Sequence, residues 1–454
     1  MEKNVSSIFK AYDIRGIYPD QINEEVAYSI AQGFARIVAP KKPVVIGHDV
    51  RLHSESLKLS MIKGLTDAGV DVVDIGLIST EMIYFATGQY GYGGGIQVTA
   101  SHDTSEYHGA KMVRENVVPL SGESGLEEIK DFVLSGDKIN APQGGEVEKR
   151  DILEDYCDYL LRYIDVASIK PMKIVANSNF GYEAKILEKF IEKSKIPVKI
   201  VPINAEPDGN FPKGRPDPSI PENRTETLGL VKKEKVDFGV MWDADADRVF
   251  FVADNGIFID SYFINYFLIH DILDSHPGQK IIYDPRCTWA MIDAAKECGS
   301  EAILERVGHS YIKARMRKEN AVFAGENSGH TYYREFWFAD CGMIPLLQVL
   351  NIISKTNKPL SVIIKPIMEK YHISGEINYK TQNAEAIMKL LESKYKGGTI
   401  THLDILSVDY NDWRFNIRTS NTGEKFLRLN VEAKNKNLLS QKLAEVEEII
   451  TDNL

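Results

Sequence analysis

The chain has 454 residues, well beyond the roughly 250–300 at which one hydrophobic core stops growing, so it divides into several domains. Hydrophobic residues make up 43% and charged residues 26%, the balance of an ordinary globular protein, which excludes a disordered or fibrous chain. A formal net charge of −11 without any Lys/Arg block excludes a general affinity for nucleic acid or an anionic membrane surface, and an anionic substrate then needs a local basic pocket.

Residues 1–16 contain no apolar signal core, and the most apolar later stretch, 343–353, is interrupted by Gln348 and Asn351; neither secretion nor membrane spanning is expected. Cys157, Cys287, Cys298 and Cys341 show no C-x-x-C spacing, so they read as reduced thiols of a cytoplasmic enzyme rather than a zinc site or disulfide framework.

Three segments repeat one plan of apolar runs that end in polar loops. The first has strand-like runs at 43–47, 70–75 and 95–99, with a helix-like stretch at 54–68 between the first two. Its last run leads into Ser101-His102-Asp103, a serine that taken alone is an ordinary turn or cap residue and does not match Gly-x-Ser-x-Gly. After a polar break at 141–150, the second copy has runs at 172–176, 198–201 and 236–242 and a helix at 182–193.

The second copy ends in Asp243-Ala244-Asp245-Ala246-Asp247-Arg248. Alternating carboxylates on a bent strand-end loop suit one hard cation, and without one they repel each other. Arg248 stands where an EF-hand needs glycine and Asp254 where it needs a bidentate Glu, so that motif is excluded. Mg²⁺ is favoured over Ca²⁺, because few protein carboxylates leave positions for water and a phosphate oxygen.

A turn at 253–256 precedes the third copy, with runs at 280–284, 301–304 and 320–324 and a helix at 288–298. Its closing loop, Gly325 to His330, offers the Glu326 carboxylate and the Ser328 hydroxyl two residues apart, suited to paired sugar hydroxyls. Beyond 371–377 the plan stops, and alternating runs at 412–418 and 426–431 with a helix at 438–450 predict a smaller α+β domain. There Arg418 to Gly423 combines a guanidinium, hydroxyls, an amide and accessible backbone N–H groups, as phosphate recognition requires. In open α/β sheets ligands gather beyond the carboxyl ends of strands, so each repeat offers one loop to a shared site.

Six ordered motifs make the sequence resemble the α-D-phosphohexomutase superfamily, and within it the bacterial phosphomannomutases of GDP-mannose synthesis. They are Lys10 to Gly16, Thr99 to His102, Asp243 to Arg248, Gly308 to Lys313, Gly325 to His330, and Arg418 to Thr422 with Arg428 to Glu432. The tracts Asp284-Pro285-Arg286, 315–318 and 412–415 resemble the capsule and O-antigen branch.

The resemblance implies an α/β protein of four domains around a central cleft, three of them homologous with mixed sheets. The expected divisions are 1–150 with the phosphoserine loop, 151–255 with the metal loop, 256–370 with the sugar loop and 371–454 with the phosphate loop. Phosphorylated Ser101 then converts mannose 6-phosphate to a 1,6-bisphosphate that turns around and returns the other phosphate, leaving mannose 1-phosphate. Ser101, Asp243, Asp245 and Asp247 are the implied Mg²⁺ ligands, and a hexose 1,6-bisphosphate is the implied activator. Arg15, Lys111 and His309 match positions assigned to proton transfer or its support, and Arg248 lies beside the phosphate. Glu326 and Ser328 match sugar-hydroxyl ligands, with Tyr12, His102, Arg286, Gly308 and His330 among the substrate-binding positions. Arg418, Ser420, Asn421 and Thr422 match the clamp on the non-reacting phosphate. A phosphosugar is the expected partner, with no nucleic acid or membrane, for a monomer or weak homodimer.

Several positions depart from the family pattern. Ser101-His102-Asp103-Thr104 replaces Ser-His-Asn-Pro, His108 opens the usual Asn-Gly-x-Lys, Ala244 replaces Gly, Asn327 replaces Met, and Gly423-Glu424-Lys425 replaces Glu-Pro. At about 6 Å and an effective dielectric of about 20, Asp103 facing a phosphoserine repels it by roughly 3 kcal/mol, which predicts a short-lived phosphoenzyme. An Asp103 turned outward, capping the turn or paired with a cation, has no such effect. Mannose and glucose differ at C2, away from the hydroxyls assigned to Glu326 and Ser328, so a phosphoglucomutase or dual-specificity enzyme is the nearest alternative. A catalytically weak sugar-phosphate-binding homologue is the other.

Overall fold

The computed structural model describes residues 5–403, 405–419 and 426–454. These fall into two compact units, one running up to Phe258 and including His330–Pro359, the other made of Ile259–Gly329 and Leu360–Leu454.

The first unit holds two α/β layers. In one sheet the strands lie in the order Ile14–Ile17, Tyr107–Arg114, Gly94–Val98, Val44–His48, Val72–Leu77, Val147–Lys149. The pairs on the Val44–His48 side are parallel, whereas Tyr107–Arg114 runs antiparallel to both neighbours, so the sheet is mixed. Val44, Val45 and Ile46 are all buried, as expected for a central strand covered by helices on both faces. The helix Glu24–Val38 starts where the Asn23 side chain accepts the Val26 N–H, with Glu24 and Glu25 favourably placed in its first turn.

The second sheet orders Val249–Ala253, Phe238–Trp242, Met172–Asn177 and Val198–Ile203, with Val249–Ala253 folded back antiparallel. The strand-helix-strand plan read from the sequence is present here, and the antiparallel return strands are what it did not contain. Buried Glu81 joins the layers of this unit: its carboxylate accepts from Cys341 Sγ, from Gly342 and Met343 N–H at 2.7 and 3.2 Å, and from Tyr156 Oη. It thereby satisfies N–H groups at the start of helix Met343–Thr356 that the helix itself leaves open.

The second unit contains the parallel strands Ala302–Leu304, Ile281–Tyr283 and Phe323–Gly325. It also contains an antiparallel sheet in which Phe426–Ala433 and Trp413–Thr419 are central, covered by helices Ala384–Lys394 and Lys436–Thr451. All four cysteines are free thiols. Among the described residues no helix is long and apolar enough to cross a membrane.

Candidate active site

In the first unit, strand Gly94–Val98 ends at the turn carrying Ser101, which is buried and held at φ +53°, a left-handed conformation that non-glycine residues adopt only when their surroundings enforce it. The enforcement comes mainly from Arg51. Its guanidinium donates to the carbonyls of Ser101 and Asp103 at 2.6 Å each, and to those of Thr104 and Tyr107 at 2.7 and 3.0 Å. Asp49 fixes it from behind at 3.1 Å, and the Phe211 ring lies 4.9 Å beneath. Arg51→Ala is expected to destabilise the protein by about 3–5 kcal/mol, because it leaves the buried Asp49 carboxylate without its counter-charge and takes one donor from each of four carbonyls. Thermal or denaturant unfolding measures this, and a loss within the range of ordinary surface substitutions would contradict the role.

Ser101 Oγ lies 2.9 Å from His102 Nδ1, and the same nitrogen is 3.9 Å from Asp243 Oδ2. Burial first, then the charges of Arg248, Arg15 and Arg215, push the His102 pKa well below that of free histidine, so a neutral imidazole faces the hydroxyl. The family resemblance implies only a substrate contact for His102. Its other nitrogen looks toward buried Asp217 at 4.0 Å.

Asp243, Asp245 and Asp247 are buried, and one oxygen from each lies within 4.8 Å of the others. Asp243 Oδ2, Asp245 Oδ1 and Asp247 Oδ1 lack a hydrogen-bond donor among the described residues. The other faces are occupied: Asp245 Oδ2 accepts from Thr80 Oγ1 at 2.6 Å and Lys111 Nζ at 2.7 Å, and Lys111 also pairs with Asp247 Oδ2. Burial, then the neighbouring Asp247 and Asp245, push the Asp243 pKa well up. Burial opposes the Asp247 charge, but Lys111 and His330 outweigh it and hold that pKa well down. Three buried, mutually repelling carboxylates that can bring one oxygen each to a common point are suited to a hard divalent cation.

The remaining cations divide between roles. Arg248 Nε lies 3.4 Å from His330 Nε2 and 3.9 Å from Asp243 Oδ2, while His330 Nε2 is 3.5 Å from Asp247 Oδ1. His330, assigned to substrate from the sequence, thus stands against the aspartate loop. Arg15 donates twice to Asp13 Oδ2, at 2.9 and 2.7 Å, and once to Asp103 Oδ2 at 2.9 Å. Asp103 Oδ1 faces Arg215 at 3.3 Å, so the expected repulsion is replaced by pairing with two guanidinium groups. Tyr12 is half-buried in the bend before strand Ile14–Ile17.

The second unit assembles the rest. Arg286 is fixed by Asp284 at 3.0 and 2.7 Å and reaches Glu326 Oε2 at 3.2 Å and Ser328 Oγ at 3.4 Å. Ser328 Oγ donates to Glu326 at 2.8 Å, so the carboxylate and hydroxyl form one polar edge. Arg418 and Arg428 both pair with Glu376 at 3.0 Å, and burial of Glu376 is outweighed by Arg418, Arg286 and Arg428, which hold its pKa down. Gly308, at φ +133°, precedes half-buried His309, the first residue of helix His309–Glu319. Ser420, Asn421 and Thr422 lie outside the described residues. Arg51, Arg215 and Asp217 are not singled out by the sequence, because the partners that place them at this site lie far away in the chain.

Profiles described as phosphoglucomutase/phosphomannomutase α/β/α domains I, II and III match residues 6–140, 154–256 and 260–371. The chain belongs to the phosphoglucomutase/phosphomannomutase family. A phosphomannomutase of Vibrio cholerae serotype O1 is 42% identical over 454 residues, covering 97% of this chain and 98% of that protein. A Xanthomonas campestris protein named for phosphohexose mutases is 41% identical over 428 residues, covering 94% of this chain and 95% of that one. A crystal structure of a family member from Burkholderia thailandensis superposes with a TM-score of 0.88 at 28% identity, covering 98% and 97% of the two chains. Family membership accounts for the three repeated α/β segments; the antiparallel sheet at the C-terminal end is the fourth, non-repeating domain.

Proposed function

We propose that the chain is a phosphomannomutase that interconverts mannose 6-phosphate and mannose 1-phosphate, with Ser101 carrying the phosphoryl group between them. The observation that supports this most is the buried Ser101 Oγ, 2.9 Å from the nitrogen of a neutral imidazole that also adjoins the bare oxygen of Asp243.

In the forward direction O1 of mannose 6-phosphate attacks the phosphorus on Ser101, losing its hydroxyl proton to solvent. The P–Oγ bond breaks as the P–O1 bond forms, Oγ departs with a proton from His102 Nδ1, and the sugar bisphosphate results. After the bisphosphate turns around, Ser101 Oγ attacks its 6-phosphate, the Oγ proton returns to His102 Nδ1, and the departing O6 takes a proton from solvent. Lys111, gripped by Asp245 and Asp247, and Arg15, gripped by Asp13 and Asp103, keep their protons; their part is electrostatic support of the transferring group. Asp243, Asp245 and Asp247, with an oxygen on Ser101, would hold Mg²⁺, which when bound supplies positive charge to the phosphoryl group. Glu326 and Ser328 present an acceptor edge to sugar hydroxyls, and His309 keeps its assignment to proton transfer or its support.

Arg418 binds the phosphate that is not being transferred, which is present in both sugar orientations. Arg418→Ala is expected to raise KM about tenfold or more, as the loss of a charge-assisted contact does, while Ser101 still accepts a phosphoryl group from bisphosphate. Unchanged KM and kcat would remove Arg418 from the site.

A second reading, a dual-specificity phosphohexomutase, is favoured by the relative named for phosphohexose mutases and by the lack of a residue assigned to C2. Coupled assays with mannose 1-phosphate and glucose 1-phosphate, each with a hexose 1,6-bisphosphate activator, test both. The proposed activity requires turnover of the mannose ester. Turnover of glucose 1-phosphate alone would replace it, and binding without turnover of either would mark a non-catalytic homologue.

A further inference from the structure

The segment between strand Val198–Ile203 and helix Pro221–Glu234 leaves its own domain and lies on the Ser101 turn. Contact begins at Gly209, where a Cβ would stand 2.3 Å from the Val50 carbonyl oxygen and 2.7 Å from Arg51 Cα, so only bare backbone fits. Phe211 then slides under the Arg51 guanidinium. Arg215 completes the contact: its Nε donates to the carbonyl of His102 at 3.1 Å, and its Nη2 meets Asp103 Oδ1 at 3.3 Å. The Ser101 turn is therefore held from inside by Arg51 and from the other domain by Arg215.

The acceptor that Arg215 uses is the carbonyl of the residue following Ser101, in the His102–Asp103 peptide, so the contact restrains the residue whose ring faces Oγ and one flank of the Ser101 turn. The strained residue is its immediate neighbour. Ser101 at φ +53° relaxes readily unless its flanks are fixed. The Arg215 side chain is 41% exposed, and exposed ion pairs of this kind add little to global stability. Its effect should therefore be felt in alignment more than in folding. Asp103, fixed on its other oxygen by Arg15, forms the anionic socket that gives the Arg215 fork its direction.

We propose that Arg215, seated on Asp103 and the His102 carbonyl, is a positioning residue for phosphoryl transfer to and from Ser101. The inference rests on the reading of Ser101 as the phosphoryl carrier. The test compares wild type with Arg215→Gln, Arg215→Lys, Asp103→Asn and the double variant Asp103→Asn/Arg215→Gln. Three quantities are read: the rate at which a hexose 1,6-bisphosphate phosphorylates Ser101, by quenched intact mass, and kcat and KM with mannose 1-phosphate. Thermal melts confirm that each variant is folded.

Arg215→Gln is expected to slow both Ser101 phosphorylation and kcat about tenfold to a hundredfold, the scale of a small misplacement of reacting groups, with KM changed by less than about threefold. Arg215→Lys recovers part of the rate, since an ammonium keeps the charge but not the fork. Asp103→Asn produces a smaller loss, and the double variant loses less than the two single effects combined, because both act through one contact. Wild-type rates in Arg215→Gln, whatever its melting temperature, would overturn the proposal, as would strictly multiplicative losses in the double variant. If wild type is phosphorylated on Ser101 yet turns over no mannose 1-phosphate, the substrate reading fails and the Arg215 comparison is decided on phosphorylation rates alone. If wild type takes up no phosphoryl group on Ser101, both fail.

Discussion

Ser101→Ala is expected to lower mutase turnover by at least about 10⁴-fold, the scale seen when an enzyme loses its covalent nucleophile, and to leave the fold intact. The stability side follows from local geometry. Serine and alanine are equally uncomfortable at φ +53°, so the substitution changes backbone strain little. What is lost is one buried hydrogen bond to His102, worth about 1 kcal/mol. The turn itself keeps its four carbonyl bonds to Arg51. A kinetic collapse with a nearly unchanged melting temperature is therefore the signature. Turnover within tenfold of wild type would place the phosphoryl carrier elsewhere.

Asp243→Asn should separate two effects that normally travel together. In protein stripped of divalent cations, Asp243 adds a third buried carboxylate to a set that already repels it, and removing its charge should raise the melting temperature. In saturating MgCl₂ the order reverses. A ligand that binds only the folded state stabilises it by mass action, so wild type gains stability that the variant does not. Activity in Mg²⁺ falls by about 10²–10³-fold or more, as for other groups that stabilise transition-state charge. Thermal melts with EDTA and with MgCl₂ measure both halves. Equal Mg²⁺-induced shifts in the two proteins would remove Asp243 from the cation site.

Local pattern carried the reading of this chain wherever chemistry sits on a loop at a strand end. The helix expected at 182–193 is found at Glu183–Ser194, and that at 288–298 at Trp289–Glu297, because apolar patterning is a local signal. The Asp243–Asp247 spacing likewise brings three carboxylates onto one strand-end loop. Long-range partners were not legible. Arg51 appears in the sequence as one polar residue after a strand, yet its four acceptors lie 50 to 56 residues further on. Asp103 shows the same limit from the opposite side. Its distance from Ser101 in sequence suggests repulsion, whereas Arg15 and Arg215, 88 and 112 positions away, turn it into an anchor. His330 stands two residues from Ser328 in the sequence, but lies beside Asp247 and Arg248 in the other compact unit.

The proposed mechanism turns on the fate of one phosphoryl group. Protein incubated with a hexose 1,6-bisphosphate and freed of sugar should gain the mass of a single phosphoryl group, and peptide mapping should place it on Ser101. Addition of mannose 6-phosphate should then remove it at a rate no slower than kcat, with a bisphosphate appearing in equal amount. A phosphoryl group on any other residue, or steady mutase turnover by protein whose Ser101 never carries one, would contradict the mechanism.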